Sequence, residues 1–376
     1  MPKTLQDIAQ ELVNSNNKVE LIFAFNGVGK TRLSREFKKL VAPKVENENG
    51  ELVYSNELSS KVVVYYSAFT EDLFNWNNDL DTDINFKLEI RPNSFTDWIL
   101  TDEGKDVAII NQFKNYTQAK ADPKFSEGNK DITFSLLNLD GSRTPKIKIS
   151  KGEENNLIWS VFYNLLEEIT AKTDDGSNPF PQLKYIFIDD PVSSLDDNNI
   201  LKLGLSLARV INSSRSDLKF IITTHNTNLY KTLHSEIEKK VTKQGYVLEN
   251  DQHTGYQLIP KPGHSNTYFS SHLKNLRQLT VATTSNPSIV ERNHLPLLRS
   301  LYEKVAFFLG YANWRELLPK DDDNNGESYA KFINEGNHDY NNYDDVTPLK
   351  PHEKQTVALL LKNLENHVKF NSTESN

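Results

Sequence analysis

The sequence predicts an α/β fold followed by a smaller, mainly helical domain, and three observations carry that expectation. Leu21–Ser34, LIFAFNGVGKTRLS, runs from an apolar segment through a glycine-bearing turn into a lysine, a threonine and a helical pattern. Two fully apolar runs, Tyr185–Ile188 and Phe220–Thr223, flank a helical stretch near Asn199–Ile211, the pattern of buried parallel strands joined by a crossover helix. From about Tyr256 the register changes to polar turns followed by helices, so we divide the chain into 1–255 and 256–376. Charge agrees with that division: residues 261–376 carry 13 Lys+Arg against 14 Asp+Glu, a net of -1 out of -8 for the whole chain.

Leu5–Leu12 is apolar-periodic and reads as a helix, Val19–Phe25 as a strand feeding the glycine turn, and Thr31–Leu40 as a second helix. After the polar stretch Glu46–Glu57, the β-branched and aromatic KVVVYY of Lys61–Tyr66 reads as a strand. Residues 70–130 mix Trp76 and Trp98 with turn signals, and an inserted helical or irregular lobe is expected there. Ile132–Leu137 and Lys146–Ile149 read as strands around the DGSRTP turn, Glu153–Ile169 as a helix and Ala171–Pro181 as a loop. In the last part, Ser271–Val281, Ser288–Leu309, Tyr311–Leu317 and Lys354–Phe370 read as helices.

With 37% hydrophobic and 25% charged residues the composition is that of a globular protein. No apolar run approaches the ~18 residues of a membrane span, and the amphipathic MPKTLQDIAQELV is unlike a secretion signal, so a cytoplasmic protein without membrane contact is expected. Zero cysteines exclude disulfides, thiolate metal sites and cysteine nucleophiles, leaving histidines and carboxylates for acid/base chemistry. The net charge of -8 excludes a broad basic surface.

In a phosphate-cradling loop, glycines let backbone N–H groups approach phosphate oxygens, a lysine reaches the terminal phosphates and a Ser/Thr hydroxyl ligates magnesium. Asn26, Gly27, Gly29, Lys30 and Thr31 fill those places, with Ala24 where such a loop usually opens with glycine. Taken alone the match equally describes a turn between strand and helix. It is not alone, because YIFIDDPVSSLDD (185–197) puts Asp189 at a strand end, suited to hold the metal, with Asp190 beside it as a candidate base and Asp196 further on. ISKGEE (149–154) opens a helix with Ser150 as N-cap and Gly152 in its first turn, which is an anion site or simply a capping box. FIITTH (220–225) ends a strand on His225, a γ-phosphate sensor or a structural histidine.

The order Lys30, Ser150, Asp189, Asp196, His225 resembles the ATP-binding-cassette class of P-loop NTPases across about residues 1–250. That resemblance implies a head-to-tail homodimer or higher oligomer, in which the serine-glycine helix start of one subunit closes over nucleotide held by another. Asp190 stands where the class usually has glutamate, a methylene shorter, which favours slow hydrolysis or a nucleotide-held switch. No coiled-coil arm separates Lys30 from Ser150, so long-armed chromosome-maintenance ATPases fit poorly.

In LPLLRSLYEKVAFFLG (295–310), Leu298, Leu301, Tyr302, Val305 and Phe308 form one stripe, and Arg299 and Glu303 lie together beside it. An i,i+4 salt bridge is the plain reading, in the poorer orientation and worth only ~0.2–0.5 kcal/mol. His338 falls in NEGNHDYNN, expected to be a polar loop. Arginine, glutamate and histidine suffice for metal-free RNA cleavage: a base takes the 2'-hydroxyl proton, a cation steadies the phosphorane oxygens, and an acid protonates the departing 5'-oxygen. The products are a 2',3'-cyclic phosphate and a 5'-hydroxyl, and DNA is excluded as substrate.

Longer runs narrow the reading. FNGVGKTRLS, YYSAFTEDLF, ISKGEENNLIWSVFY, LKYIFIDDPVSSLDDNN, LKFIITTH and LLRSLYEKVAFFLGYANWRELLP closely resemble the bacterial PrrC-type anticodon nuclease family, over nearly the whole chain and least in residues 41–60, 101–130 and 320–350. In that family both the alanine at the loop's first position and the double aspartate recur. The resemblance implies a latent ribonuclease that cuts a transfer RNA, tRNA-Lys first, on the 5' side of the wobble base, with Arg299, Glu303 and His338 as catalytic triad. It implies silencing by a type I restriction-modification complex until phage infection disables that partner. It further implies ATP or GTP with Mg2+ at the NTPase, GTP hydrolysis favouring activation, and dTTP stabilising the active form. The stretch that reads the anticodon corresponds to Lys261, His264, Ser265 and Asn266, with His264 where the family has aspartate and Tyr268 or Phe269 available for stacking. A non-catalytic ATPase switch and a DNA-end-processing ATPase are the alternatives.

Overall fold

The structure is a computed structural model that describes residues 3–42, 44–46, 50–55, 57–67, 73–77, 81, 84–117, 121–177, 179–192, 195–251, 255–261, 271–285, 288–320, 326–338 and 348–368. The chain forms two compact units, Met1–Gly263 and His264–Asn376.

Along the first unit run α1 (Leu5–Asn14), β1 (Val19–Phe23), α2 (Lys30–Val41), β2 (Lys44–Glu46), β3 (Leu52–Tyr54), β4 (Val63–Ser67), β5 (Phe74–Asn77), β6 (Lys87–Ile90), α3 (Ser94–Asp97), α4 (Asp106–Thr117), β7 (Ala121–Phe125), β8 (Asp131–Leu137) and β9 (Arg143–Thr144). There follow α5 (Lys151–Asp175), β10 (Tyr185–Asp189), α6 (Asp197–Ser213), β11 (Lys219–Thr224), α7 (Thr227–Glu236), β12 (Lys243–Asp251) and β13 (Gly255–Pro260). The central sheet has six strands in the order β13-β12-β1-β11-β10-β4, parallel except for the β12–β13 pair. Registers such as Leu21 opposite Ile222 and Ile188 opposite Ile222 bring the ends of β1, β10 and β11 level. Strands buried on both faces read as continuous apolar runs, which is why this part was legible.

Two expectations for the inserted region are corrected. Residues 70–130 are neither purely helical nor irregular: β5 to β9 form an antiparallel sheet, with α4 following β6 and α3. Strands of four or five residues are too short to show a period, so their alternation was hidden. Lys146–Ile149 is not a strand; the return pairing is only Arg143–Thr144, after which Lys146 turns with φ 56°. Similarly α5 continues through Asp175 to Gly176 in the left-handed conformation, so the expected loop begins later. A hydrogen-bond chain from Trp159 Nε1 to Tyr116 hydroxyl at 2.9 Å, and on to Ser206 Oγ at 2.6 Å, ties α4 to α5 and α6.

Residues 256–260, expected with the second domain, form β13 of the central sheet, Leu258 opposite Leu248. Tyr256 is the reason: its hydroxyl accepts from Arg32 Nη1 at 3.1 Å on α2 and its N–H donates to Lys3.

The second unit comprises α8 (Ser271–Thr284), α9 (His294–Leu309), a 3-10 turn at Trp314–Leu317, α10 (Glu327–His338) and α11 (Pro351–His367). Leu279, Leu295, Leu298, Leu301, Tyr302, Ile333, Val357, Leu360 and Leu364 form its core. Tyr302 is buried there because its hydroxyl donates to Leu360 O at 2.8 Å and accepts from Asn363 Nδ2 at 3.0 Å. Phe308 leaves the expected stripe and is 82% exposed: the buried residues of α9 end at Ala306, before Gly310 caps the helix.

Candidate functional site

The ends of β1, β10 and β11 converge on one cradle. Gly27 and Gly29 take φ of 81° and 118°, values that let the loop after β1 turn back into α2. Ala24 is fully buried and its N–H donates to Thr224 O at 3.0 Å, so the methyl packs into the core instead of the cradle. Lys30, only 7% exposed, directs its ammonium to Ala24 O at 3.2 Å, Phe25 O at 3.4 Å, Asn26 Oδ1 at 3.2 Å and Asp190 Oδ2 at 3.3 Å. Phosphate oxygens would compete with those acceptors for the same charge.

Asp189 closes β10 at 2% exposure. Thr223 Oγ1 donates to its Oδ1 at 2.7 Å and the Tyr65 hydroxyl to its Oδ2 at 3.2 Å, and Thr31 also hydrogen-bonds to it. Burial pushes its carboxyl above the ordinary range despite those donors. A carboxylate this buried, touching the hydroxyl of Thr31, fits a hard divalent cation, whose remaining ligands would be phosphate and water. Among the described residues no group of three or more His, Asp or Glu stands as a metal cage by itself. The Tyr65 phenol is pushed up to about 12 by burial and by Asp189's charge, so it stays a donor.

Asp190 turns out of the strand with φ 48°, a conformation aspartate tolerates better than most residues. That turn places its carboxylate against Lys30 and against His225 Nδ1, 2.8 Å and 2.7 Å from its two oxygens. Burial alone would raise its pKa, yet His225 and Lys30 outweigh it and the net shift is downward. A carboxylate so held is a weak proton acceptor.

The remaining predicted groups gather elsewhere. Ser150 caps α5, its Oγ accepting from Glu153 N–H at 3.3 Å while Glu153 Oε2 takes the Ser150 N–H at 2.8 Å, so the capping box is real. Asp196 caps α6 through Asn199 N–H at 2.8 Å. Both line one cavity of about 310 Å3 with Gly152, Tyr116, Asn156 and Lys202. Lys30 is not part of that lining. Ser193 and Ser194, between the aspartates, lie outside the described residues.

In the second unit Arg299 Nε donates to Glu303 Oε1 at 2.8 Å, with side chains 33% and 46% exposed. Its Nη1 donates to Asn334 Oδ1 at 2.9 Å on α10, and the guanidinium lies 5.8 Å from the centre of the Trp314 ring. His338 does not sit in a loop: it ends α10, one turn beyond Asn334 by helical spacing. Residues 339–347, the rest of that stretch, lie outside the described residues. Phe307 falls four positions after Glu303 on α9 and is 88% exposed. Lys261, expected among the residues that read the anticodon, is only 5% exposed within the first unit, its ammonium 5.3 Å from the Tyr230 ring centre. His264, Ser265, Asn266, Tyr268 and Phe269 lie outside the described residues.

Sequence reading missed Tyr65, Thr223 and Asn334, whose contacts cross the fold; only the proximity of Thr223 to His225 offered a signal.

Residues 99–364 match a family model described as an AAA domain. Among solved structures, an SMC head domain from Thermotoga maritima is similar at 12% identity and a TM-score of 0.33, covering 66% of this chain and 91% of that one. The Smc head domain with an extended coiled coil, bound to the C-terminal domain of ScpA, from Pyrococcus furiosus gives 10% identity, a TM-score of 0.28 and coverages of 45% and 37%. A curated Escherichia coli protein described as "Anticodon nuclease" is 44% identical over 397 residues, 98% of each chain. With that identity sustained from end to end, the chain belongs to the anticodon nuclease family.

Proposed function

We propose that the chain is a nucleotide-gated endoribonuclease that cuts tRNA in the anticodon loop, 5' to the wobble base, with tRNA-Lys as first substrate. The observation that carries the reading is the set of partners around Arg299: Glu303, Asn334 and the Trp314 ring hold its guanidinium at a partly exposed surface. A guanidinium so held offers N–H groups to the two non-bridging oxygens of a phosphodiester. Glu303 and His338 then exchange the protons, one taking that of the 2'-hydroxyl and the other protonating the departing 5'-oxygen. The ribose oxygen closes on phosphorus and the P–O5' bond breaks, giving a 2',3'-cyclic phosphate and a 5'-hydroxyl. Recognition rests on single-stranded bases stacking on aromatic rings, and Phe307, in line with Arg299 and Glu303, is such a ring.

Lys30, Asn26 and the N–H groups of Gly27 and Gly29 cradle the triphosphate of ATP or GTP, and Thr31 and Asp189 hold Mg2+, which neutralises phosphate charge when bound. Asp190 and His225 read the γ-phosphate, and the lowered pKa of Asp190 suits a slow switch better than fast hydrolysis. The cavity of Ser150, Gly152 and Asp196 closes on nucleotide held by a second copy, making a head-to-tail dimer or higher oligomer. In the cell, dTTP steadies the active form and a type I restriction-modification complex keeps the enzyme silent until phage infection. No helix among the described residues is long and apolar enough to cross a membrane.

The test is digestion of total tRNA by the purified chain, with sequencing of new ends. One nick in an anticodon loop, bearing a cyclic phosphate, is expected. Intact tRNA under every nucleotide condition, with ATP hydrolysis preserved, would instead indicate a non-catalytic ATPase.

A further inference from the structure

β4 ends the central sheet, with β10 on one side and, among the described residues, no strand on the other. Tyr185 N–H donates to Val62 O at 3.1 Å, and Val63 stands opposite Tyr185. In a parallel ladder only alternate residues turn their backbone groups to the neighbour, so those of Val63 and Tyr65 face away from β10. No described residue hydrogen-bonds to these outward N–H and C=O groups. Such an edge is a template for one more strand.

Beside the edge lies a second cavity of the first unit, about 740 Å3, which takes no part in the mechanism above and is lined by every residue from Lys61 to Ser67. Successive side chains of a strand point to opposite faces of the sheet. Tyr65 points to α2, where Ser34 Oγ donates to its hydroxyl at 3.2 Å, and Tyr66 points to α5, its ring centre 4.3 Å from that of Phe162. The two walls differ in kind. Toward α2, Arg35 and Lys38, joined by Lys61 from the chain ahead of β4, bring three cations, and no aspartate or glutamate is among the described residues that line the cavity. Lys38 Nζ lies 4.5 Å from the Tyr54 ring centre and Lys61 Nζ 5.5 Å from that of Phe95, while Lys61 Nζ also donates to Ser55 O at 2.6 Å. Burial, and then the charge of Lys38, push the Lys61 ammonium below the ordinary lysine value, as for cations gathered in one half-dry place. Toward α5, Val161, Phe162 and Leu165 present an apolar wall.

We propose that this cavity is a docking groove for an extended segment of a partner protein, one that adds to β4 as a further strand and alternates acidic with apolar side chains. Its backbone pairs with the outward groups of Val63 and Tyr65. Every second side chain then carries a carboxylate to Arg35, Lys38 and Lys61, and those between lie on Val161, Phe162 and Leu165. The open backbone edge selects a peptide over a nucleic acid, whose phosphates would use the cations and leave the edge unpaired. The groove adjoins the metal site, since Tyr65 lines it and donates to Asp189 Oδ2 at 3.2 Å. The inference stands apart from the nuclease reading and needs no RNA cutting.

Fluorescence anisotropy of a labelled peptide of about ten residues, glutamate alternating with valine, titrated with the full chain, tests it. Saturable binding is expected, at least tenfold tighter than that of a peptide with the same residues in the order Glu-Glu-Val-Val. The double variant Lys38→Gln/Lys61→Gln should bind the alternating peptide at least tenfold more weakly while melting normally. Only alternate N–H groups of an added strand reach β4, so N-methylation of all the valines or of all the glutamates should abolish binding in one case and spare it in the other. No binding of the alternating peptide, equal binding of the two orders, or an unaffected double variant overturns the proposal. So does an equal effect of the two methylations, which would remove strand pairing from the contact. Displacement of the peptide by an oligouridylate of the same length that binds more tightly overturns it too, and assigns the cations to nucleic acid. Because the readout is peptide binding, a failure of RNA cutting bears on the nuclease reading alone.

Discussion

The two units treat charge in opposite ways. In the first, Asp189 and Lys30 are 2% and 7% exposed, each fixed by several partners before any ligand arrives. In the second, the Arg299 and Glu303 side chains are 33% and 46% exposed. An ion pair in water is worth about 0–1 kcal/mol, so this one adds little to the stability of α9. The contrast teaches that the charges of the first unit are prepared inside the parallel sheet, whereas the pair on α9 is left partly open to water.

The hardest blow to this contrast is expected from the surface pair. Arg299→Ala and Glu303→Ala should each lower tRNA cutting by ~10²-fold or more, the scale of losing a proton-transfer or charge-stabilising group. Nucleotide binding and thermal melting should stay unchanged, since neither side chain is in the core. Wild-type cutting by both variants, measured in single-turnover digestion, would remove α9 from the chemistry. Next in size, Lys30→Ala should weaken nucleotide at the cradle by at least tenfold and make cutting indifferent to added nucleotide, as read by dialysis and by digestion with and without ATP. It sharpens the contrast if the residual cutting remains, because the two units then fail separately.

Phe307→Ala should raise KM for tRNA roughly 5- to 100-fold, corresponding to about 1–3 kcal/mol per stacked base. At 88% exposure the ring contributes little to folding, so melting should not move, and Phe307→Trp should restore KM where Phe307→Leu does not. The smallest effect concerns pH. Asp190 has its pKa lowered in the folded state by His225 and Lys30, so its contribution to stability is present above the ordinary carboxylate value of ~3.9 and fades as pH falls through the lowered one. Urea melts of wild type and Asp190→Asn should therefore differ in full from about pH 5 upward and converge toward about pH 2. A constant difference would show that the cradle's charges are not coupled to folding.

Legibility followed range. The motif residues Gly27, Gly29, Lys30, Asp189, Asp190 and His225 sit at strand ends whose apolar runs are continuous in the chain, so their convergence followed from parallel strands with level ends. Ser150 announced itself as a helix cap, and a cap it is, whereas the capping role of Asp196 at α6 was not read from the sequence. The inserted sheet was hidden because short strands carry too few alternations, and α10 because its apolar residues, Ala330 and Ile333 with Phe332 beside them, are spread among polar ones. Phe308 was misread because helical periodicity says which residues share a face but not where the core stops.

By itself the sequence determined the local structure: glycines where φ is positive, caps where helices start, apolar runs where strands are buried, because each depends on neighbours a few residues away. Tertiary structure alone decided which polar groups meet. Tyr65 reaches Asp189 across 124 positions and Asn334 reaches Arg299 across 35, and no local preference encodes such a meeting. It also decided that Lys261 is buried against Tyr230 and that three cations share one cavity with two aromatic rings, since burial depends on how separate elements pack.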